Sequence, residues 1–213
     1  MTTVLLTGFE PFAGAAVNPS WDAVERVARD WSGPETVVAV RLPVEFGRVD
    51  ALLEAAVAEH SPDVLIAVGL AEGRDAITPE RIGINVDDAR IPDNAGDQRI
   101  DSPIEADGPA ARFSTLPIKA IVEALRAAGV PATVSSTAGT FVCNHVAYAA
   151  PGLSASRPGL RAGFVHVPAT PELGAHASVP TLELATIVDG LRIAVETAVR
   201  TTTDVAAVGG SIH

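Results

Sequence analysis

The chain has a single cysteine, Cys143, in the stretch Ala138-Gly139-Thr140-Phe141-Val142-Cys143-Asn144-His145. Upstream, Val130-Pro131-Ala132-Thr133-Val134-Ser135-Ser136 is short, β-branched and bounded by Pro and Gly, which predicts a buried strand. Downstream, Asn144 to Ala150 predicts the first turns of a helix that stops at Pro151-Gly152. Cys143 then falls near a helix N-terminus. Unpaired N–H groups and the helix dipole favour an anion there, lowering a thiol's pKa and offering donors to an oxyanion. A lone cysteine is also commonly a small core residue, and position alone leaves both readings open.

A thiol nucleophile needs a base, and the base needs an orienting group. The chain has five histidines. His60 ends a surface helix, His176 sits in a Gly/Ala/Ser loop and His213 is terminal. His145 is two residues past Cys143 and would face another way on a helix, so it makes a poor base. His166, in Gly163-Phe164-Val165-His166-Val167-Pro168, lies near the end of an apolar strand. It is the best placed base, with a satisfied core histidine as the alternative. Glu80, after Thr78-Pro79, is the best orienter on position, although Asp75 and Asp87 lie near it in the sequence. Phe9 and Phe12 suit either a flat apolar ligand pocket or the core. The run with Asp87, Asp88, Asp93, Asp97, Asp101 and Asp107 could attract a hard cation. Its spacing matches no calcium loop and no histidine is near, so a solvated loop is the preferred reading.

The elements that must position these residues alternate. Val4–Thr7, Thr36–Leu42, Asp63–Leu70 and Gly163–Pro168 predict strands. Helices are predicted from Asn18-Pro19-Ser20 to Ser32, over Phe46–Ala58 (Val49, Leu52, Leu53, Ala56 and Val57 inward), Leu116–Ala128 and Thr181–Thr201. This alternation predicts one α/β domain spanning 1–213, a three-layer sandwich whose mostly parallel twisted sheet carries helices on both faces. Sites in such sheets form at the carboxyl ends of strands, where Gly8-Phe9, Gly69-Leu70 and Gly139 fall. Residues 202–213 read as a loose tail.

Composition narrows the partners. At 213 residues, with 47% apolar and 19% charged residues, the chain can bury a sizeable core. A net charge of −11 with no Lys/Arg cluster argues against nucleic acid or an anionic membrane. A single cysteine forms no internal disulfide and fits a reducing cytosol. The N-terminus lacks a basic start and breaks at Glu10, unlike a signal peptide, and no apolar run reaches membrane-span length.

Six blocks, in order, carry a resemblance: Gly8-Phe9-Glu10-Pro11-Phe12, Ile77-Thr78-Pro79-Glu80-Arg81, Asn85 to Asp93, Thr115-Leu116-Pro117-Ile118-Lys119, Ala138 to His145, and Gly163 to Pro168. Together they resemble pyroglutamyl peptidase type I over nearly the whole chain. The resemblance implies a cytosolic cysteine peptidase that removes N-terminal pyroglutamate from peptides, as a homotetramer without metal or cofactor. It implies Cys143 as nucleophile, His166 as general base and acid, and Glu80 as orienter. It implies Arg90 as an oxyanion ligand, and Phe9, Phe12, Ile91, Phe141 and Val142 as pocket walls. The chain departs from the family pattern at Ala13, Val44, Leu70, Glu72 and Val167-Pro168-Ala169. Of these, Glu72 is expected to strain a turn where glycine is usual. A nucleoside-phosphorylase-like enzyme is the runner-up, but no GxGxxG or GxxxxGK[ST] supports nucleotide binding. A binding protein that keeps the pocket without catalysis is the non-enzyme alternative.

Overall fold

The computed structural model describes residues 1–173 and 179–210, so His176 and His213 lie outside the described residues. The central sheet comprises β1 (Thr3–Phe9), β2 (Thr36–Leu42), β3 (Val64–Leu70), the two-residue β4 (Thr78–Pro79) and β7 (Arg161–Val167). Its order is β2-β1-β3-β7-β4, parallel except for β4. A second, two-stranded antiparallel sheet joins β5 (Ile82–Ile84) to β6 (Ala111–Phe113).

Alternating side chains of the parallel strands feed two cores, as a sheet covered on both faces requires. On one face Val4, Leu6, Ile66, Val68, Val165 and Val167 pack against α1 (Pro19–Arg29), α3 (Ile118–Ala127) and α5 (Leu184–Arg200). On the other, Leu5, Leu65, Ala67, Ala162 and Phe164 pack against α2 (Phe46–His60) and α4 (Val142–Gly152). The three-layer arrangement is the one expected. Leu52 is a correction: expected inward on α2, it is exposed.

The segment 130–136 is not a regular strand. It runs parallel beside β4 but registers only as isolated bridges, Ile77 with Ala132 and Glu80 with Ser135. The Ile77 N–H donates to Pro131 O, and Thr133, Ser135 and Arg81 continue the pattern. Between Thr133 and Ser135 residue 79 should donate, but proline has no N–H, so one rung is missing there. The tail is also better anchored than expected. Asp204 accepts from the Lys119 and Ala120 N–H groups (3.1 and 2.9 Å), capping α3, whose own N-cap residue Pro117 has no acceptor side chain. Arg81 donates to Gly209 O at 2.7 Å.

Glu72 does not take positive φ; Gly73 does, at +93°. The strained departure is instead Ala13, at φ 51°. Among the described residues no helix is long and apolar enough to cross a membrane.

Candidate active site

His166 occupies an even-numbered position of β7, the face that Ala162 and Phe164 present to α4. Its register partner on β3 is Gly69. Cys143 arrives from above, in the first turn of α4. A Cβ added to Gly69 would lie 2.9 Å from Cys143 Sγ and 2.7 Å from Phe164 Cζ. Glycine thus creates the space in which the sulfur settles against the sheet beside His166. Phe141 at the N-cap provides no side-chain hydrogen bond to the first turn, so the leading N–H groups of α4 are left uncapped by it.

Glu80 enters from the other side. β4 pairs Thr78 with His166 antiparallel, and the Glu80 N–H donates to Phe164 O at 2.8 Å. Two residues beyond Thr78, the Glu80 side chain shares that residue's face and reaches back diagonally to His166. Glu80 Oε1 lies 2.7 Å from His166 Nδ1, with both side chains almost wholly buried. A carboxylate acceptor places the proton on Nδ1 and leaves Nε2 as the basic nitrogen. Asp75 is exposed, and Asp87 engages other partners. Arg74 was not singled out from the sequence. Its Nη1 donates to Glu80 Oε1 at 2.7 Å and also to Thr78 Oγ1.

Burial lowers the His166 pKa from its ordinary value. The Glu80 hydrogen bond and charge oppose that shift, and the Arg74 charge adds to it. The imidazole at rest is therefore neutral at pH 7. Burial also pushes the Cys143 thiol up to about 12, with the Glu80 charge adding and Arg74 opposing. Burial thus acts against the lowering expected at a helix start. The resting pair is thiol and neutral imidazole.

Cys143 opens into a pocket with about 250 Å³ of space, mouth included, lined by Phe9, Phe12, Asn18, Val44, Leu70, Phe141 and Val142. Both readings of the two N-terminal phenylalanines hold. Phe9 is buried against Phe164 with centroids 6.3 Å apart, and Phe9 and Phe12 both line the pocket. Phe12 faces Phe141 at 6.3 Å. The Asn18 amide is committed elsewhere: its oxygen accepts from Ser20, and its nitrogen donates to Glu10 O. Arg90 is exposed, and neither it nor Ile91 lines this pocket. Val44 and Leu70, noted in the sequence only as departures, do line it.

The acidic loop is not uniformly solvated. Asp93 Oδ2 accepts from the Phe46 N–H at 2.8 Å and caps α2. Buried Asp87 lies 2.8 Å from both His145 Nδ1 and Arg99 Nη1, while His145 Nε2 meets Asp50 at 2.9 Å. Burial disfavours a charge on His145. Hydrogen bonds and charge from Asp50 and Asp87 outweigh it, raising the imidazole to about 9. Both ring nitrogens are occupied, which agrees with His145 being a poor base. The cluster fixes the ground behind the pocket: Arg99 stacks on Phe46 at 4.9 Å, and Phe46 meets Phe141 edge-on at 5.4 Å.

A mostly parallel sheet between two helical layers brings Cys143, His166 and Glu80 to its carboxyl rim, and the relatives of the chain mark it as a peptidase hydrolase. A sequence model of the pyroglutamyl peptidase family matches residues 2–201. The chain is 55% identical over 203 residues to the pyrrolidone-carboxylate peptidase of Streptomyces coelicolor, covering 94% of each. It is 54% identical over 217 residues to that of Cupriavidus taiwanensis, covering both completely. The crystal structure of pyroglutamyl peptidase I from Bacillus amyloliquefaciens superposes with a TM-score of 0.91 at 47% identity, over 96% of this chain and 100% of that one. A mutant pyrrolidone carboxyl peptidase from Pyrococcus furiosus gives 0.89 at 40% identity, over 93% and 99%. The chain belongs to the pyroglutamyl peptidase family. Family and fold together support removal of N-terminal pyroglutamate from peptides.

Proposed function

We propose that the chain is one catalytic domain that hydrolyses the pyroglutamyl bond through Cys143, His166 and Glu80 by way of a thioester. The carrying observation is the 2.7 Å contact between His166 and Glu80, next to the glycine on which the Cys143 sulfur rests. The pocket supports the substrate class. Among the described residues that line it none is acidic, so an N-terminal ammonium finds no counter-ion. A flat, uncharged lactam suits aromatic and aliphatic walls, with Phe9, Phe12, Phe141 and Val142 around the ring; Ile91 joins them on the strength of the family resemblance alone.

Because thiol and imidazole are neutral at rest, proton transfer accompanies attack. His166 Nε2 takes the thiol proton as sulfur bonds to the pyroglutamyl carbonyl carbon. The oxyanion is received by N–H groups of the first turn of α4 and by Arg90, the latter on the strength of the family resemblance. Imidazolium, held by Glu80, then gives its proton to the leaving amine as the C–N bond breaks. Water, deprotonated by His166, attacks the thioester, releasing pyroglutamate and returning the proton to the thiol. Positioned proton transfer of this kind contributes about 10²–10⁴-fold in rate. A cytosolic homotetramer without metal or cofactor fits the resemblance, the acidic chain and the lone thiol.

The test is hydrolysis of a pyroglutamyl arylamide by wild type and Cys143→Ser, with a prolyl arylamide as control. Turnover of the pyroglutamyl substrate alone, lost in the variant, supports the reading. A folded, reduced wild type that cleaves neither would favour a binding protein.

A further inference from the structure

We propose that Arg74 is a positioning residue for this reaction: it locks the Glu80 carboxylate against His166 and ties it to the loop that delivers Cys143. This rests on the roles given above to Cys143, His166 and Glu80.

Arg74 is set by a turn, its N–H donating to Ala71 O at 3.2 Å, with Gly73 at φ +93° supplying the bend. Its guanidinium then reaches three neighbours. Nη1 donates to Glu80 Oε1 at 2.7 Å and to Thr78 Oγ1, and Nη2 donates to Thr137 O at 2.8 Å. Thr137 lies six residues before Cys143, in the loop that enters α4. One planar fork therefore spans the carboxylate of the site, the strand that presents it and the approach to the nucleophile. Lysine cannot reproduce such a fork with a single ammonium group.

The carboxylate depends on this support. Glu80 Oε1 serves both His166 and Arg74, while Oε2 is buried and makes no hydrogen bond among the described residues. Of the two ion-pair partners of Glu80, only Arg74 carries a permanent charge. A buried carboxylate without such a partner is costly. The charged groups facing His166 are Glu80 and Arg74; Cys143 lies across Gly69, and Glu72 and Asp75, in or beside the turn, are exposed. Arg74 also lowers the pKa of His166, so its charge bears on the pH at which the base is available.

The experiment compares wild type, Arg74→Gln and Arg74→Lys on a pyroglutamyl arylamide, reading kcat, KM, the pH profile of kcat/KM and thermal stability. In Arg74→Gln, kcat should fall about 10–100-fold, the scale of a small misplacement of catalytic groups, with KM nearly unchanged. The acid limb should move to higher pH, because a charge that lowered the His166 pKa is gone. Arg74→Lys should keep the wild-type limb with a smaller loss in kcat. A folded Arg74→Gln whose profile overlays wild type, or a loss confined to KM or to stability, would overturn the proposal. Should Arg74→Gln fail to fold, Arg74→Lys decides: reduced kcat with an unshifted limb supports the role, and wild-type kcat overturns it. An inactive wild type would instead sink the underlying reading, so the two failures are distinguishable.

Discussion

Gly69 offers a sharp perturbation because an added Cβ would fall against the Cys143 sulfur and the Phe164 ring. A Cβ at this position stands 2.9 Å from Cys143 Sγ, 2.7 Å from Phe164 Cζ and 3.0 Å from Phe164 Cε1. Ordinary carbon contacts sit at ~3.5–4.0 Å, so Gly69→Ala requires movement of about 1 Å shared between the sulfur and the ring. Phe164 is buried under α4 and cannot swing into solvent. Gly69 is not at positive φ, so alanine meets no backbone strain. Overpacking costs about 1–3 kcal/mol, and relief from glycine's unfolded-state freedom returns about 0.5–1 kcal/mol. The net loss of stability is therefore modest, roughly 0–2.5 kcal/mol on those figures. Activity should suffer more, since a 1 Å misplacement costs about 10²-fold. Pyroglutamyl arylamide turnover and a thermal melt, run on the same preparation, separate the two effects. A folded Gly69→Ala variant with wild-type kcat would show that the sulfur does not work from its seat on Gly69.

Glu80→Gln should lower kcat by about 10²–10⁴-fold with the fold retained by circular dichroism, because a neutral amide no longer fixes the Nδ1–H tautomer and cannot balance an imidazolium; near-wild-type turnover would reassign the orienter. His166 must be neutral to act, and its pKa is lowered from 6.5, so kcat/KM should stay high below pH 6.5 and fall only as pH drops through the lowered value. An acid limb above 6.5 would contradict the burial argument. For His145 the sign is opposite: raised to about 9 from 6.5, it contributes stability that is complete below 6.5 and lost as pH rises through 9. That contribution is at most about 3.5 kcal/mol at ~1.4 kcal/mol per pKa unit, so urea midpoints of wild type should decline over this window and those of His145→Gln should stay flatter. Ala13→Gly should stabilise by about 0.5–1 kcal/mol by removing left-handed strain, raising Tm by ~1–4 °C in a chain this size; a lower Tm would place the strain elsewhere.

The long elements were legible because each repeats its pattern over several turns or pleats. The apolar runs of β1, β3 and β7 and the apolar stripes of α1 and α5 carry the layered fold on their own. β4 and β6 were not legible, being only two or three residues long and therefore without a readable period, and β5 showed only as the short alternating run over residues 82–86. The site was legible in its residue types but not in its contacts. Which carboxylate meets His166 depends on the antiparallel pairing of Thr78 with His166 across the sheet, which local sequence does not encode. Arg74 escaped notice for the same reason: its partners are fixed by how three separate loops meet. The tail looked loose because Asp204 caps a helix whose first residues lie about 85 positions earlier. The thiol was read from its helix alone, and the burial that dominates it belongs to β3 and β7. Glu72 escapes strain because its neighbour Gly73 takes the positive φ, whereas at the other turn both Ala13 and Gly14 take it, a difference set by the path of the chain.

The most direct test is acid-quenched mass spectrometry of wild type mixed with excess pyroglutamyl arylamide on the time scale of one turnover. The account predicts a mass increment of one pyroglutamyl group on the peptide containing Cys143, appearing with the first equivalent of arylamine. Arylamine released with no such adduct, or an adduct on another residue, would contradict a thioester at Cys143.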